Sequence, residues 1–407
     1  MSELQTHKQG PAWDYLQKWG YLNKRIAHSL SGYAGIMYDG TGRSFGGFLK
    51  KINDWNHLKE IACTTTGAVG LLNDGSVVYT DMLAFKNCDG GTPIEDWPSN
   101  IKTISAAKCS QVDHILGLTE DGQVFAYGPK SRGQCDVGGW CNIVEILAGG
   151  DCSIGLRKDG TVLVCGCDKL AEMVSSWQNV EHIYCNREPN MITHTIVGLQ
   201  SDGKVLVASV LDIFYASHWR DIIDISCSNH IIAGIKGNGD VCLTGDIPLE
   251  LKRDGLKEML SINVEYDHIN AHSMHGIVYS GKPNNIRRAA ENILSVYTIP
   301  KTTDAYPSYN MLLDYAGKIV LLKDGVETEK CSDWQLFTEP FDRSAYAPAQ
   351  TIPDSHTPPT PPPPIGDPPA PPAPQNNDKN TYLILAIVFL FIFWPVSIYF
   401  FYKYSKC

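Results

Sequence analysis

The chain has no Cys-x-x-Cys pair, no surplus of basic residues and no apolar run near its start. Each absence excludes a class. Zinc sites want four ligands at tetrahedral spacing, usually drawn from close cysteine pairs. The 13 cysteines lie at irregular spacing and supply none. Their odd count and scatter also fit no secreted disulfide framework, so the thiols read as reduced, in the cytosol. Lys and Arg number 34 against 44 Asp and Glu, a formal net charge of −10. A nucleic-acid binder needs a basic surface to displace counterions, so no nucleic-acid partner is expected. Residues 1–30 hold no hydrophobic signal core, which argues against a cleaved leader. There is no His-Glu-x-x-His and no paired-carboxylate motif set apart from the rest. The expectation is a protein that is not an enzyme, with no catalytic residues, no metal and no cofactor.

What is present is a repeat. The pattern Ile-x-x-Ile, then about a dozen residues, then Gly-Leu-x-x-Asp-Gly-x-Val is clearest over Ile143–Val162, Ile101–Val124 and Val180–Val205. Tryptophans mark the unit starts at Trp55, Trp97, Trp140, Trp177 and Trp219, separated by 42, 43, 37 and 42 residues. Trp19 lies one further period upstream and Trp334 closes the series. Turn glycines keep the same rhythm at Gly40, Gly75, Gly122, Gly160, Gly203 and Gly239, more weakly at Gly281 and Gly317. Eight units of about 39 residues fall within the range of propellers and solenoids.

Each unit reads as strands. Val162 and Val164 alternate with the period of two expected of a sheet. Asp74-Gly75, Asp121-Gly122, Asp159-Gly160 and Asp202-Gly203 predict hairpins with type I′ turns, which need positive φ at both central residues. One hairpin cannot bury its apolar face alone, whereas units stacked around an axis can, and they protect most strand edges. The expected fold is all-β, a β-propeller of seven or eight blades over residues 19–340, preceded by an extension at 1–18.

Residues 341–380 read as a linker, since 13 of the 24 prolines fall between Pro348 and Pro374. Such a segment favours polyproline II, and Pro353–Pro374 would reach about 70 Å at ~3.1 Å per residue. Residues 381–402 predict a transmembrane helix: Tyr382–Phe401 is an uncharged apolar run of 20, enough to cross ~30 Å of hydrocarbon. A short tail, 403–407, follows. A helix so placed reads as a tail anchor with the propeller in the cytosol. Lys403 and Lys406 pull the other way, since the positive-inside rule would put the tail in the cytoplasm.

The repeats resemble the regulator of chromosome condensation family of β-propellers. The matching residues are Ile143–Ile146, Ala148-Gly149-Gly150, Gly155-Leu156, Lys158-Asp159-Gly160-Thr161-Val162 and Gly166, with Arg132-Gly133-Gln134-Cys135 matching a glycine-glutamine loop. The units are compact, like bacterial versions of the repeat, which are seven-bladed. The family's usual histidine is matched by His114, with Cys152 at the equivalent place one unit on and His194 and His230 offset by one. The resemblance implies a hydrogen bond within a blade for such a histidine. It also implies an alternative function, guanine-nucleotide exchange on a small GTPase, which would need a wedge-like insertion that residues 281–310 are irregular enough to hold. A third reading, an inhibitor or adhesion propeller outside the cell, requires export.

Other candidates read as structural. Cys165 and Cys167 are expected as packed thiols on one face of a strand, with Cys135 and Cys141 upstream. The glycine-rich stretch Gly40–Gly47 is expected as a turn rather than a phosphate loop. The tryptophans are expected between blades. Binding specificity is expected in loops that vary between units, at Lys130, Arg132, Asp168, Lys169, Arg187 and Glu188. The function expected is a membrane-tethered scaffold for an unidentified protein partner.

Overall fold

The computed structural model describes residues 7–29, 32–80, 88–109, 113–186, 192–248, 256–265, 267–283, 286–299, 309–323, 326–328 and 331–346. The proline-rich segment and the apolar run Tyr382–Phe401 lie outside them, as do Arg187 and Glu188. Among the described residues, no helix is long and apolar enough to cross a membrane.

The described residues of the repeats form eight antiparallel sheets of three or four strands. The inner strands, one per sheet in chain order, are Ile26–His28, Leu58–Cys63, Ile101–Ala106, Ile143–Ala148, Val180–Cys185, Ile222–Cys227, Met259–Glu265 and Ile293–Ile299. Each pairs with a middle strand, which pairs with an outer one. Residues from all eight inner strands line a single cavity, so the sheets stand around it as the blades of a propeller. The antiparallel order puts the middle-to-outer hairpins at the end where inner strands begin, here the turn face. Inner-to-middle connections lie at the opposite end, the loop face.

The Asp-Gly hairpins form, but not with type I′ turns. Gly75, Gly122, Gly160 and Gly203 take positive φ (84°, 84°, 82° and 77°), while the preceding aspartates do not. The Gly75 N–H donates to Leu72 O at 3.1 Å, and Leu72 N–H donates to Ser76 O at 2.9 Å. That is a three-residue loop, a type I turn closed by a glycine bulge. Asp74 stays right-handed because its carboxylate accepts from the backbone N–H and the hydroxyl of Ser76, at 2.9 and 2.6 Å. Asp159 does the same with Thr161. These local bonds hold both carboxyls below their ordinary pKa.

The Trp and Gly of the repeat are partners. Trp55, Trp97, Trp140, Trp177 and Trp219 lie on Gly70, Gly117, Gly155, Gly198 and Gly234 of the middle strands that follow them. A Cβ added to Gly155 would sit 2.6 Å from Trp140 Cζ3. Gly155→Ala should therefore cost about 1–3 kcal/mol through overpacking, read by urea denaturation. A change within about 0.5 kcal/mol, the range of ordinary surface substitutions, would mean that the indole yields freely.

Trp19 breaks the expected series. It packs with Phe337 and Phe341, at ring-centroid distances of 5.0 and 5.5 Å. The tryptophan of the first sheet is instead Trp334, whose ring lies over Gly35 of the middle strand Tyr33–Ile36. The end of the fold thus supplies what the beginning lacks. Residues past 340 belong to it too: Phe341 and Tyr346 are buried in the same cluster. The irregular stretch 281–310 contributes an outer strand, Arg287–Glu291, and the inner strand Ile293–Ile299, with 300–308 outside the described residues.

The N-terminal extension is integral as well. Helix α1 (Pro11–Trp19) begins with proline in its first turn, where the missing N–H costs nothing. It buries Ala12, Tyr15 and Trp19, and the Ala12 N–H donates to Gly237 O on a hairpin of the turn face.

Candidate functional site: the central chamber

The cavity between the inner strands measures about 910 Å3. At mid-depth its wall is the second isoleucine of the repeat: Ile26, Ile61, Ile104, Ile146, Ile183, Ile225, Ile262 and, in the last sheet, Val296. In each of these eight strands that residue pairs with the same position of its middle strand, Gly35, Gly70, Gly117, Gly155, Gly198, Gly234, Ala271 and Leu312. The result is a girdle of β-branched side chains.

Two residues earlier every inner strand but the first carries a β-bulge, between Leu58 and Glu60, Ile101 and Thr103, and their equivalents. The bulge follows a residue in the left-handed region in most sheets, for example Asn142 and Asn179 (φ 56° and 58°). The residue after each bulge is polar: Glu60, Thr103, Glu145, His182, Asp224, Ser261 and Ser295.

Much of this polarity joins neighbouring sheets. An inner strand pairs on one side only, and its other edge needs partners. Glu60 Oε2 accepts the Ile104 N–H at 3.2 Å and the Thr103 hydroxyl at 2.6 Å. Ser105 Oγ accepts the Ala148 N–H and Ser226 Oγ the Val264 N–H, each at 2.9 Å. Tyr184 OH donates to Asp224 Oδ1 at 2.9 Å, and burial pushes both groups up in pKa. His182 Nδ1 lies 3.2 Å from Glu145 Oε2, a hydrogen bond that raises the imidazole.

The two ends differ. On the turn face, residues 8–24 run over the mouth from the fifth sheet to the second: Lys8 Nζ bonds Glu181 Oε2 at 2.6 Å and Lys24 Nζ bonds Glu60 Oε1 at 2.7 Å. Where α1 lies, the bulge residues are apolar and buried, namely Ile223, Leu260 and Leu294 (3, 2 and 0% exposed). Where it does not, they are Lys59, Lys102 and Val144, all exposed. At the loop-face end a polar bridge crosses the chamber: His28 Nε2 stands 3.0 Å from Lys108 Nζ and 3.0 Å from Glu265 Oε1, from the first, third and seventh sheets.

The loop residues expected to bind a partner fall elsewhere. Lys130 and Arg132 are exposed on the connection from the third to the fourth sheet, and Asp168 and Lys169 are exposed at the start of α2 (Asp168–Val174) between the fourth and fifth. Part of Arg132 is already used, since its guanidinium lies 3.7 Å from the buried Asp151. The wall residues of the chamber were missed because their pattern is that of a core strand; their signal was the polar residue held at one position of every unit.

Three local expectations need correction. His114 bonds between blades: its Nε2 lies 3.0 Å from Ser153 Oγ in the next sheet. Cys165 and Cys167 do not share a strand face. Cys165 ends the strand Val162–Cys165 and packs with Cys135, while Cys167 precedes α2 and packs in the cluster on the other side of its sheet. Burial raises Cys135 and Cys165 to about 12 and about 11, which makes them unreactive thiols. Gly40–Gly47 is a turn only at Gly40; Gly42–Phe45 is an outer strand. Gly42-Arg-Ser-Phe-Gly46 formally matches Gly-x-Ser-x-Gly, but the nucleophile elbow needs a strand-to-helix turn, and Ser44 lies within the strand, bonded through its hydroxyl and N–H to Asn53 Oδ1.

No protein-family model matches the chain, and no curated protein sequence matches it. Among solved structures it is similar to Prp20p from Saccharomyces cerevisiae, described by its binding to Gsp1p and histones, at 14% identity over 68% of this chain and 78% of that one, TM-score 0.41. The same yeast protein is described elsewhere as yeast RCC1, bound to Kap60 (16% identity, 63% and 69% covered, TM-score 0.38). The CRINKLY WD40 ectodomain of the Arabidopsis thaliana receptor kinase ACR4 is similar at 14% identity over 64% and 93%, TM-score 0.41.

Proposed function

We propose that this chain is an eight-bladed propeller acting as a protein-interaction scaffold, held at a membrane by residues 381–402 and spaced from it by the proline-rich segment. The observation that carries the interaction reading is exposure on three connections of the fifth sheet: the one before it, its own inner-to-middle connection and the one after it. Three apolar side chains stay in water there: Met173 at 37% exposure, Ile192 at 39% and Tyr215 at 63%. Charged Asp168 and Lys169 stand on the same helix as Met173. Exposed apolar and aromatic side chains beside charged ones are the material of which transient protein interfaces are made. Against an enzyme stands the use of the wall's acids and hydroxyls in joining blades. The tether rests on the length and apolarity of Tyr382–Phe401, and the cytosolic placement on the pattern of cysteines.

A photo-crosslinking residue at Tyr215 in the full chain, expressed in its own cells, should yield one or a few discrete adducts. The same residue at Asp74 on the turn face should yield none. Equal adducts from both faces, or none from either, would remove the interface reading. Protease digestion of intact cells tests the placement separately: a propeller protected until lysis is cytosolic, and one cleaved beforehand is not.

A further inference from the structure

The chamber has a composition that blade-joining does not require. Its middle is the girdle of β-branched side chains, which pack between the sheets at 9% exposure or less, apart from the half-buried Ile262, and turn a narrow apolar edge to the chamber. Its roof on the turn face, over the sixth to eighth sheets, is also apolar, made by Tyr15, Trp19 and Leu22 on Leu260 and Leu294. The part of the mouth that α1 leaves open is cationic. Lys59 Nζ reaches the backbone of the second lysine, donating to Lys102 O at 3.3 Å. Lys24 lies between them and the roof, neutralised by Glu60. Glu145, the next acid along the wall, is bonded to His182. Among the described residues no carboxylate lies within ion-pair distance of the Lys59 or Lys102 ammonium. An apolar interior with a few polar groups converging at its mouth is the form of a small-molecule site, and about 910 Å3 is within the usual size.

We propose that this chamber binds a single-chain anionic amphiphile, its carboxylate held at Lys59 and Lys102 and its acyl chain laid along the girdle. The charge pattern fixes the orientation. A headgroup at the loop-face end would meet Glu265 as well as Lys108, across His28. At the open mouth it meets two ammonium groups with no acid between them. Length follows from the strand: from Lys59 to Cys63 the wall runs roughly 13 Å at ~3.3 Å per residue, the span of a medium-length saturated chain. The site is separate from the loop face of the interaction reading, and neither depends on the other.

The test uses the full chain in a mild non-ionic carrier and monomeric laurate, followed by calorimetry. Laurate should bind saturably at one equivalent, roughly fifteenfold tighter than decanoate, the ratio expected for two buried methylenes. Dodecanol, which has the chain without the charge, should bind more weakly than laurate. The double variant Lys59→Glu/Lys102→Glu changes exposed residues, so it folds. It should weaken laurate tenfold or more and leave dodecanol unchanged. Ile262→Phe narrows the girdle at a half-buried position and should weaken both ligands, with an unchanged melting temperature showing that the fold is intact. No saturable laurate binding overturns the proposal. So does binding that ignores both the charge reversal and Ile262→Phe, which would mean uptake on the outer surface or by the carrier.

Discussion

Trp334→Ala should open the ring. Trp334 is 3% exposed and follows the last sheet, yet its indole lies on Gly35 in the first. The residues around it complete the seam: Tyr38 N–H donates to Gln335 O at 2.9 Å, Ile319 N–H to Trp334 O at 3.2 Å and Leu336 N–H to Gly317 O at 2.8 Å. Truncating a buried tryptophan costs about 3–5 kcal/mol where the cavity cannot collapse. The other repeat tryptophans hold sheets that are consecutive in the chain, and a short connection keeps those neighbours close even when the contact is lost. Trp334 joins the two ends of the fold, so its loss has no short connection to limit it. By hydrogen exchange, Trp334→Ala should expose the amides of Tyr33–Ile36 and Ile319–Lys323 well before those of the fourth and fifth sheets. Trp177→Ala should cost a similar free energy without that pattern. Uniform loss of protection in both variants would show that closure is not a distinct weak seam.

The contrast between these tryptophans marks how far the repeat could be read. Period, strands and hairpins follow from local constraints that recur, so they are legible in one unit and confirmed by the next, whereas the glycine under each tryptophan came only from the structure. Closure is not local: nothing near Trp334 says that its glycine lies at Gly35, and counting from Trp19 assigns the first sheet the wrong tryptophan. The type I′ expectation failed for a smaller reason. Asp-Gly permits two turn geometries, and the aspartate stays right-handed where its carboxylate accepts the backbone N–H two residues on, from Ser76, Thr161 and Lys204 alike. The chamber was legible only in part. The second isoleucine of each unit looks like core in any single repeat and becomes a girdle only when eight are set around an axis. A partial signal for the docked α1 was present: the residue after the first apolar position is charged in Lys59, Lys102 and Glu181 and apolar in Ile223, Leu260 and Leu294, with Val144 apolar although α1 does not cover it. That break in pattern says that something covers one side of the mouth.

The cover should also be the part most sensitive to acid. Tyr15 and Trp19 of α1 enter an aromatic cluster around His272, which is 2% exposed, with Tyr15, Phe341 and Tyr315 at ring-centroid distances of 5.8, 5.7 and 5.9 Å. Its Nε2 meets Tyr315 OH at 3.1 Å, and its Nδ1 has no partner. Tyr15, Tyr315, Tyr346 and Arg343 stand around the cluster, and Lys18, Asp14 and Asp342 act on Tyr346 at its edge, but His272 itself is shifted by burial alone, with no carboxylate paired to its ring. Burial drives the His272 pKa down to about 3, against about 6.5 in an unfolded chain. A lowered histidine contributes stability above its unfolded pKa and loses it as pH falls through that window, here from about 6.5 towards 3, with an upper bound of about 4–5 kcal/mol. Asp113 works in the opposite sense. Burial raises it to about 6, so its contribution is greatest below its unfolded pKa near 4 and is lost as pH rises through 6. The two offset each other between pH 4 and 6 in the wild-type profile. His272→Phe separates them, because Asp113 is common to both chains and cancels in the difference. The variant should be less stable than wild type, or equal to it, at pH 7. It should gain on the wild type by about 2 kcal/mol by pH 5, measured as the difference in urea midpoints multiplied by m. Trp19, hydrogen-bonded through Nε1 to Tyr346 OH at 3.0 Å, should lose its buried emission in the wild type before the repeat tryptophans do. If the difference stays flat from pH 7 to 5, His272 is not held neutral by its surroundings, and the acid response of the fold must come from carboxylates elsewhere.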